Sequence, residues 1–130
     1  MVGVLVVADN LKLRGVLRTI IDKRPGFRVV GEAADGISAA QLAQSLRPNV
    51  VLMDVGMPRM DGIEATRHIR ALLPDTVVIG MSCHTTRDVE AALLAVGVSA
   101  FLPKEHVPEK IFTVIAEALT QDSESHHGIS

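Results

Sequence analysis

Short apolar runs recur along the chain at intervals that suit strands separated by helices. Their residues, mostly Val, Ile and Leu, occupy consecutive positions rather than alternating with polar ones. Such runs are typical of strands that are buried on both faces of a parallel sheet. The pattern predicts five strands, at residues 3–8, 27–33, 49–53, 76–81 and 99–102.

The stretches between these runs carry apolar residues with the period of an amphipathic helix. The first such stripe comprises Leu13, Val16, Leu17, Ile20 and Ile21. The later stripes are Ala39, Leu42, Ala43 and Leu46; Ala65, Ile69, Leu72 and Leu73; Val89, Ala92, Leu93 and Val96; and Ile111, Val114, Ile115, Ala118 and Leu119. Five β–α units in strict alternation predict an α/β fold, in which helices cover both faces of a doubly wound parallel sheet.

Proline and glycine mark the boundaries between these elements. Pro25, Pro48 and Pro74 follow helical stretches and precede apolar runs. Gly97 follows the fourth helical stretch as a C-terminal cap residue would, and Pro108 suits the first turn of the last helix. These boundary signals agree with the periodicity.

Composition and charge narrow the range of partners. The 130 residues fit one domain, with 48% apolar residues, 22% charged residues and a net charge of −2. A balanced charge without Trp or Tyr offers no surface for nucleic acid, so we expect this domain to bind none.

Apolar runs of about seven residues are too short for a membrane span, which needs about 20. A single cysteine and an N terminus without signal-peptide features lead us to expect a cytoplasmic location.

Polar residues follow four of the apolar runs, where the carboxyl ends of parallel strands meet. They are Asp9, Asp54, Ser82 and Lys104. Taken singly, an aspartate here is a helix cap or turn former, and the serine and lysine are ordinary turn or solvated residues. Taken together, two carboxylates with a backbone carbonyl suit Mg²⁺, and an aspartate can form an aspartyl-phosphate. Lys104 and Ser82 would then neutralise and hydrogen-bond the phosphoryl oxygens.

The loop after Asp54 has glycine and proline where the chain must follow a tight path. Within it, Asp61 is placed to cap a helix that begins near Gly62. Met57 and Met60 are expected to pack under the loop rather than to serve the site.

The segment DVGMPRMDG, which begins at Asp54, resembles the phosphoacceptor loop of receiver domains of two-component response regulators. The likeness covers residues 2 to about 120, and five motif residues share the family's order and spacing. These residues are Asp9, Asp54, Ser82, Phe101 and Lys104. The resemblance implies a flavodoxin-like fold with five parallel strands in the order 2-1-3-4-5 and five helices. We expect a receiver domain at 1–120 and a polar tail, or the start of a linker, at 121–130.

The resemblance also implies the chemistry of the site. Asp54 would accept a phosphoryl group from a sensor histidine kinase, and Lys104 would pair with that group. Asp9, Asp54 and the backbone carbonyl of Gly56 would hold Mg²⁺. The domain would be a phosphoacceptor rather than an enzyme, at most phosphorylating and dephosphorylating itself.

A conformational switch is the second implication of the resemblance. Ser82 would move to hydrogen-bond a phosphoryl oxygen, and Phe101 would turn inward behind it. The rearranged face would be the fourth helix, fifth strand and fifth helix, at about residues 86–118, and two copies would pair through it.

Three features qualify the resemblance. Ala8 stands before Asp9 where the family usually has a second acid, and we expect the loss to weaken Mg²⁺ binding. Glu105, rather than proline, follows Lys104, as in receivers joined to helix-turn-helix effectors of the nitrate-response (LuxR) type. Transcription would then be the output of an effector that this sequence does not contain. Cys83, beside the predicted switch serine, is expected to be packed.

Two other interpretations remain open. A receiver fold whose site has decayed, beginning at Ala8, would act as a phosphorylation-independent interaction module. An enzyme on a similar fold is the other. Phosphatases of the haloacid dehalogenase type have a second aspartate two residues after the first, where this sequence has Gly56. A flavin site would need a Ser, Thr or Gly phosphate loop after the first strand, and residues 9–12 do not form one.

Overall fold

The five strands form one parallel sheet. The computed structural model describes residues 1–57, 59–83 and 86–128, with the side chains of 59–60 and 122–128 left out. The strands are β1 (Val2–Val7), β2 (Phe27–Ala33), β3 (Val50–Asp54), β4 (Val77–Ser82) and β5 (Ala100–Pro103). They pair in the order β2-β1-β3-β4-β5, and every pairing is parallel. This order confirms the flavodoxin-like prediction, and each strand lies within one residue of its predicted bounds.

A helix follows each strand. The helices are α1 (Leu11–Asp22), α2 (Gly36–Leu46), α3 (Arg59–Leu72), α4 (Arg87–Ala95) and α5 (Val107–Gly128), and a 3₁₀ turn spans Lys104–His106. Asn10, Asp35 and Thr86 are N-caps, each accepting a hydrogen bond from the backbone N–H three residues on. Gly97, with φ of +109°, lies just beyond α4 and confirms the predicted cap. No helix in the described part of the chain is long and apolar enough to cross a membrane.

Two layers of buried side chains cover the two faces of the sheet. One layer joins the sheet to α2, α3 and α4 through residues that include Ala39, Ile69 and Leu93. The other joins it to α1 and α5 through residues that include Leu17 and Ile111. Fully burying one such Leu or Ile side chain contributes about 1.5–3 kcal/mol. Because the strand order reverses between β1 and β3, the carboxyl ends of these strands border the crevice in which such sheets bind ligands.

The helix boundaries differ from the predictions at two places. α3 begins at Arg59 rather than near Gly62, so Asp61 lies within its first turn and the predicted cap is wrong. α5 continues to Gly128, so most of the segment predicted as a tail is helical. Its role as a tail or linker stays a prediction, and 129–130 lie outside the described residues.

Candidate functional site

Asp54 ends the central strand β3 with a nearly buried carboxylate, whose side chain is 2% exposed. Its Oδ1 lies 2.7 Å from Lys104 Nζ and accepts the backbone N–H of Gly56, also at 2.7 Å. Both contacts involve a charged partner and are therefore stronger than neutral hydrogen bonds. Oδ2 accepts no hydrogen bond from a described residue. The carboxylate is fixed through one oxygen and keeps the other for chemistry.

Lys104 reaches Asp54 from the edge of the sheet. It opens the 3₁₀ turn directly after β5, which β4 separates from β3. Its side chain is 22% exposed, so the ammonium group keeps contact with solvent while pairing with the carboxylate. A buried carboxylate without such a partner is costly, because nothing replaces the water that it has lost. The proximity of these two residues, expected from their positions after strands, is observed.

Position 56 favours glycine because space is short there, not because of its backbone angles. A Cβ atom at this position would lie 3.0 Å from Asp54 Oδ1 and 3.1 Å from Lys104 Nζ. The preceding residue, Val55, donates its N–H to the carbonyl of Met81 at 2.9 Å, which anchors the start of the loop to β4. The loop therefore delivers one N–H to the Asp54 carboxylate along a path that leaves little room for a side chain.

Asp9 and Ser82 lie at the same edge of the sheet without contacts of their own. Asp9 comes two residues after β1 and is exposed, whereas Ser82 ends β4 and is half-buried. Neither side chain forms a hydrogen bond or ion pair with a described residue. Their neighbours Asn10 and Cys83 line, together with Lys104, a cleft of about 380 Å³. The site is open on this side.

Two sulfur-containing residues near the site behave differently. Cys83 is exposed, which makes the prediction that it is packed wrong. It lies one residue beyond the end of β4, where it lines the open cleft rather than the layer under a helix. Met57 is 3% exposed and belongs to the layer under α2, α3 and α4, as predicted. The side chain of Met60 lies outside the described residues.

The ring of Phe101 occupies space that a glycine on the neighbouring strand leaves free. Gly80 is its partner across the β4–β5 pairing. A Cβ on Gly80 would lie 3.1 Å from Phe101 Cδ1 and 3.3 Å from Val55 Cγ1. Phe101 is half-buried and packs against the layer that contains Leu93 of α4. The ring and the side chain of Val55, the residue that follows Asp54, thus both border the space beside Gly80.

Asp61 makes a contact that the sequence analysis missed. Its Oδ2 accepts the backbone N–H of Gly36 at 2.8 Å, across 25 residues of chain. A Cβ on Gly36 would lie 2.4 Å from Asp61 Oδ1, so a larger residue would force the two helices apart. The contact ties the start of α3, just after the Asp54 loop, to the start of α2. A glycine directly after the helix cap Asp35 was the one signal of such a close approach.

The oxygen donors at this edge are few but suit Mg²⁺. Among the described residues, no group of three or more His, Cys, Asp or Glu side chains is arranged to hold a metal ion. A metal here would therefore rely on two carboxylates, Asp9 and Asp54, with a backbone carbonyl and water. Mg²⁺ commonly binds through one or two carboxylates and keeps several waters. The exposed Asp9 and the Oδ2 atom of Asp54, which accepts nothing from a described residue, fit that mode.

The doubly wound sheet, with Asp54 paired to Lys104 at its edge, is the arrangement expected of a response regulator receiver domain. A sequence model of the response regulator receiver domain matches residues 4–116, so the chain belongs to that family.

Individual relatives fall into more than one kind of protein. The chain is 44% identical over 108 residues to a protein-glutamate methylesterase/protein-glutamine glutaminase of Myxococcus xanthus, covering 82% of this chain and 30% of that protein. It is 34% identical over 115 residues to the response regulator UvrY of Escherichia coli, covering 88% of this chain and 53% of UvrY. The receiver domain of the putative response regulator NarL from Mycobacterium tuberculosis is 28% identical, with a TM-score of 0.83 over 92% of this chain and 96% of that one. The chain thus spans about a third to a half of these curated relatives.

Proposed function

We propose that this domain is a phosphorylation-controlled switch of a two-component system, with Asp54 as its phosphoacceptor. The observation that carries the proposal is the state of the Asp54 carboxylate. One oxygen is held by Lys104 and by the Gly56 N–H, and the other accepts nothing from a described residue. A nucleophile needs such a combination of fixed orientation and an uncommitted lone pair.

The donor would be the phosphohistidine of a sensor histidine kinase. Oδ2 of Asp54 attacks the phosphorus, an O–P bond forms, and the N–P bond breaks. The imidazole leaves with the electron pair of that bond and takes up a proton from solvent. Lys104, which pairs with the Asp54 carboxylate before the transfer, then donates a hydrogen bond to a phosphoryl oxygen. Its ammonium group neutralises part of the negative charge of the phosphoryl group.

Asp9, Asp54 and the carbonyl of Gly56 would hold Mg²⁺ during the reaction. When bound, the ion supplies positive charge that screens the incoming phosphoryl group from the carboxylates. With Ala8 in place of a second acid, Asp9 is the only carboxylate that the end of β1 offers. We therefore expect a higher Mg²⁺ requirement than in a site with three carboxylates, and Ala8→Asp should lower the half-saturating concentration.

The switch would begin at Ser82 and Phe101. Ser82 has no hydrogen bond to a described residue to give up when it turns toward a phosphoryl oxygen. Phe101 and Val55 both border the space beside Gly80, so movement of the loop after Asp54 would change the surroundings of the ring. The change would pass to the face formed by α4, β5 and α5, where we also expect two copies to pair.

The output would depend on a partner or domain outside this sequence, and we expect the domain to act in the cytoplasm. Similarity to the response regulator UvrY and to the NarL receiver favours control of transcription through a DNA-binding effector. The 44% identity to a methylesterase favours control of a catalytic domain instead. Both outputs use the same phosphoacceptor chemistry, so the test of that chemistry comes first.

The test is the intact mass of the protein after incubation with acetyl phosphate, with and without Mg²⁺. Because the chain has no Trp or Tyr, mass is a better readout than ultraviolet absorbance or fluorescence. We expect the mass of one phosphoryl group to be added in the presence of Mg²⁺ and not after chelation. The control is Asp54→Asn, which should gain no mass.

Two results would contradict the proposal. If the wild-type mass stays unchanged at high Mg²⁺, the domain is an interaction module that works without phosphorylation. If Asp54→Asn gains the same mass as the wild type, the phosphoryl group is carried by another residue.

A further inference from the structure

One residue, Arg14, holds the backbone on both sides of Asp9. Its Nη1 donates a hydrogen bond to the carbonyl of Ala8 at 2.6 Å. Its own backbone N–H donates to the carbonyl of the N-cap Asn10 at 3.1 Å, the first hydrogen bond of α1, which does not depend on the side chain at position 14. Asp9, whose side chain bonds no described residue, is therefore bracketed by two contacts to the same residue of α1.

Arg14 is itself held in place by the end of β2. Its Nε lies 3.3 Å from Glu32 Oε1, and the two side chains are 16% and 23% exposed. The next residue, Ala33, accepts the N–H of Ala8 at 3.0 Å. Both backbone polar groups of Ala8 are thus bound, one directly to β2 and one through Arg14. The peptide that precedes Asp9 is fixed by a closed ring of contacts.

We propose that Arg14 is a positioning residue for Asp9 and so sets the affinity of the metal site. The inference rests on the proposed function, because it assumes that Asp9 is a metal ligand. Ala8 leaves the site with two carboxylates, so a misplaced Asp9 removes half of the carboxylate donors at once. Partners that orient a metal ligand commonly change affinity by about 10- to 100-fold when removed.

The positive charge of Arg14 has the opposite effect on metal affinity from its positioning of Asp9, and this makes the inference testable. A guanidinium near a cation site repels the cation, so loss of its charge alone would tighten metal binding. Glu32 already balances part of that charge through the ion pair with Arg14. The proposal requires the loss of positioning to outweigh the loss of repulsion.

The experiment measures Mn²⁺ binding to the unphosphorylated protein by electron paramagnetic resonance, with free Mn²⁺ as the signal. Arg14→Met keeps the aliphatic stem, and we expect about 10-fold weaker binding or more. Arg14→Lys keeps the charge and one donor group, and its affinity should fall between those of the wild type and Arg14→Met.

The matched control is Arg18→Met. Arg18 lies on the same helix and pairs with the same carboxylate, its Nη1 being 3.0 Å from Glu32 Oε2. Its side chain forms ion pairs with Asp22 and Glu32 and no hydrogen bond with Ala8 or Asn10. Since its side chain is 58% exposed, we expect Mn²⁺ affinity to change by no more than about twofold. Thermal unfolding by circular dichroism will show that each variant is folded at the titration temperature.

Separate outcomes test the inference and the function beneath it. If Arg14→Met binds Mn²⁺ as tightly as the wild type, or more tightly, Arg14 does not position Asp9. Equal weakening by Arg14→Met and Arg18→Met would also overturn the inference, since it would reflect the shared ion pair. If the wild type binds no better than Asp9→Asn, the metal site itself, and with it the proposed function, is wrong.

Discussion

The two sides of the site differ in how far the folded chain alone determines them. On one side, Asp54, Gly56 and Lys104 are joined by contacts of 2.7 Å. On the other side, Asp9 and Ser82 bond no described residue, and their neighbours Asn10 and Cys83 line an open cleft. The first side, which we call the fixed side, is preorganised before any ligand arrives, whereas the second, the open side, has no such contacts. In the proposed switch, the fixed side would supply the nucleophile and the open side would supply the conformational change.

The largest effect is expected when the fixed side loses its cation. Lys104→Met should slow phosphorylation by acetyl phosphate about 100-fold or more, because no group replaces the charge beside the transferred phosphoryl. It should also lower the free energy of unfolding by about 1–3 kcal/mol, since a nearly buried carboxylate is left without its partner. Mass spectrometry follows the reaction, and urea unfolding followed by far-ultraviolet circular dichroism gives the stability.

The double variant Asp54→Asn, Lys104→Met is the control for that prediction. With both charges gone, most of the lost stability should return, because no uncompensated charge stays buried. A Lys104→Met protein as stable as the wild type would show that the fixed side is not held by this pair.

A smaller effect is expected from crowding the same side. Gly56→Ala would bring a methyl group to 3.0 Å from Asp54 Oδ1 and 3.1 Å from Lys104 Nζ. We expect phosphorylation to slow by about 10- to 100-fold, as for other small displacements of reacting groups. Phosphoryl incorporation over time measures the effect.

Gly62→Ala is the matched control, because a Cβ on Gly62 of α3 meets no described atom within 4 Å apart from its chain neighbours and the backbone of its own helix. Alanine in a helix is favoured over glycine by about 0.5–1 kcal/mol, so this variant should be more stable and react normally. If both alanine variants react at the wild-type rate, the space around Gly56 does not matter for phosphorylation.

The fold was accessible from sequence because the strands and helices carry their signals locally. Consecutive apolar residues in β3 and the stripe that includes Ile111 and Ile115 in α5 each predict one element. The shared edge of Asp54 and Lys104 followed from strict alternation, since parallel strands end at the same side. No long-range information was needed for either step.

Contacts between distant side chains were not accessible in that way. Asp61 has a residue type that is typical of helix caps, but α3 begins two residues before it, at Arg59. Its carboxylate instead accepts the backbone N–H of Gly36, 25 residues earlier. Arg14 looks like an ordinary charged residue of α1, and only the packing of α1 on β2 brings its guanidinium to Glu32. Such contacts depend on how elements pack, which periodicity does not encode.

The open side predicts a variant whose effect appears only after phosphorylation. Ser82→Ala removes a hydroxyl that bonds no described residue, so the free energy of unfolding should change by no more than about 0.5 kcal/mol. The phosphorylated state should differ, because Ser82 is expected to bond the phosphoryl group and let Phe101 move. With three Phe and no Trp or Tyr, aromatic NMR signals can report the Phe101 ring directly.

We expect phosphorylation to shift the Phe101 signals in the wild type and to shift them less in Ser82→Ala. Equal shifts would show that the Phe101 ring responds to phosphorylation without the Ser82 hydroxyl. They would favour coupling through Val55 and Gly80 instead. A marked loss of stability in the unphosphorylated variant would show that the open side is more ordered than its contacts indicate.

The smallest effect that we expect is on the pH dependence of stability. It concerns Asp35, the N-cap of α2, which makes no contact with the Asp54 site among the described residues. The backbone N–H of Ser38, with its hydroxyl, holds the pKa of Asp35 below the ordinary value of 3.8. A lowered pKa in the folded state means that Asp35 stabilises the protein above its unfolded pKa, and that this contribution is lost as the pH falls through the folded one. Asp35→Asn keeps a capping oxygen without the charge. We therefore expect the variant to unfold at a slightly lower temperature than the wild type at about pH 7, and the difference to shrink as the pH falls below the ordinary value of 3.8. A difference that does not change with pH would mean that the Asp35 cap stabilises the fold without its charge.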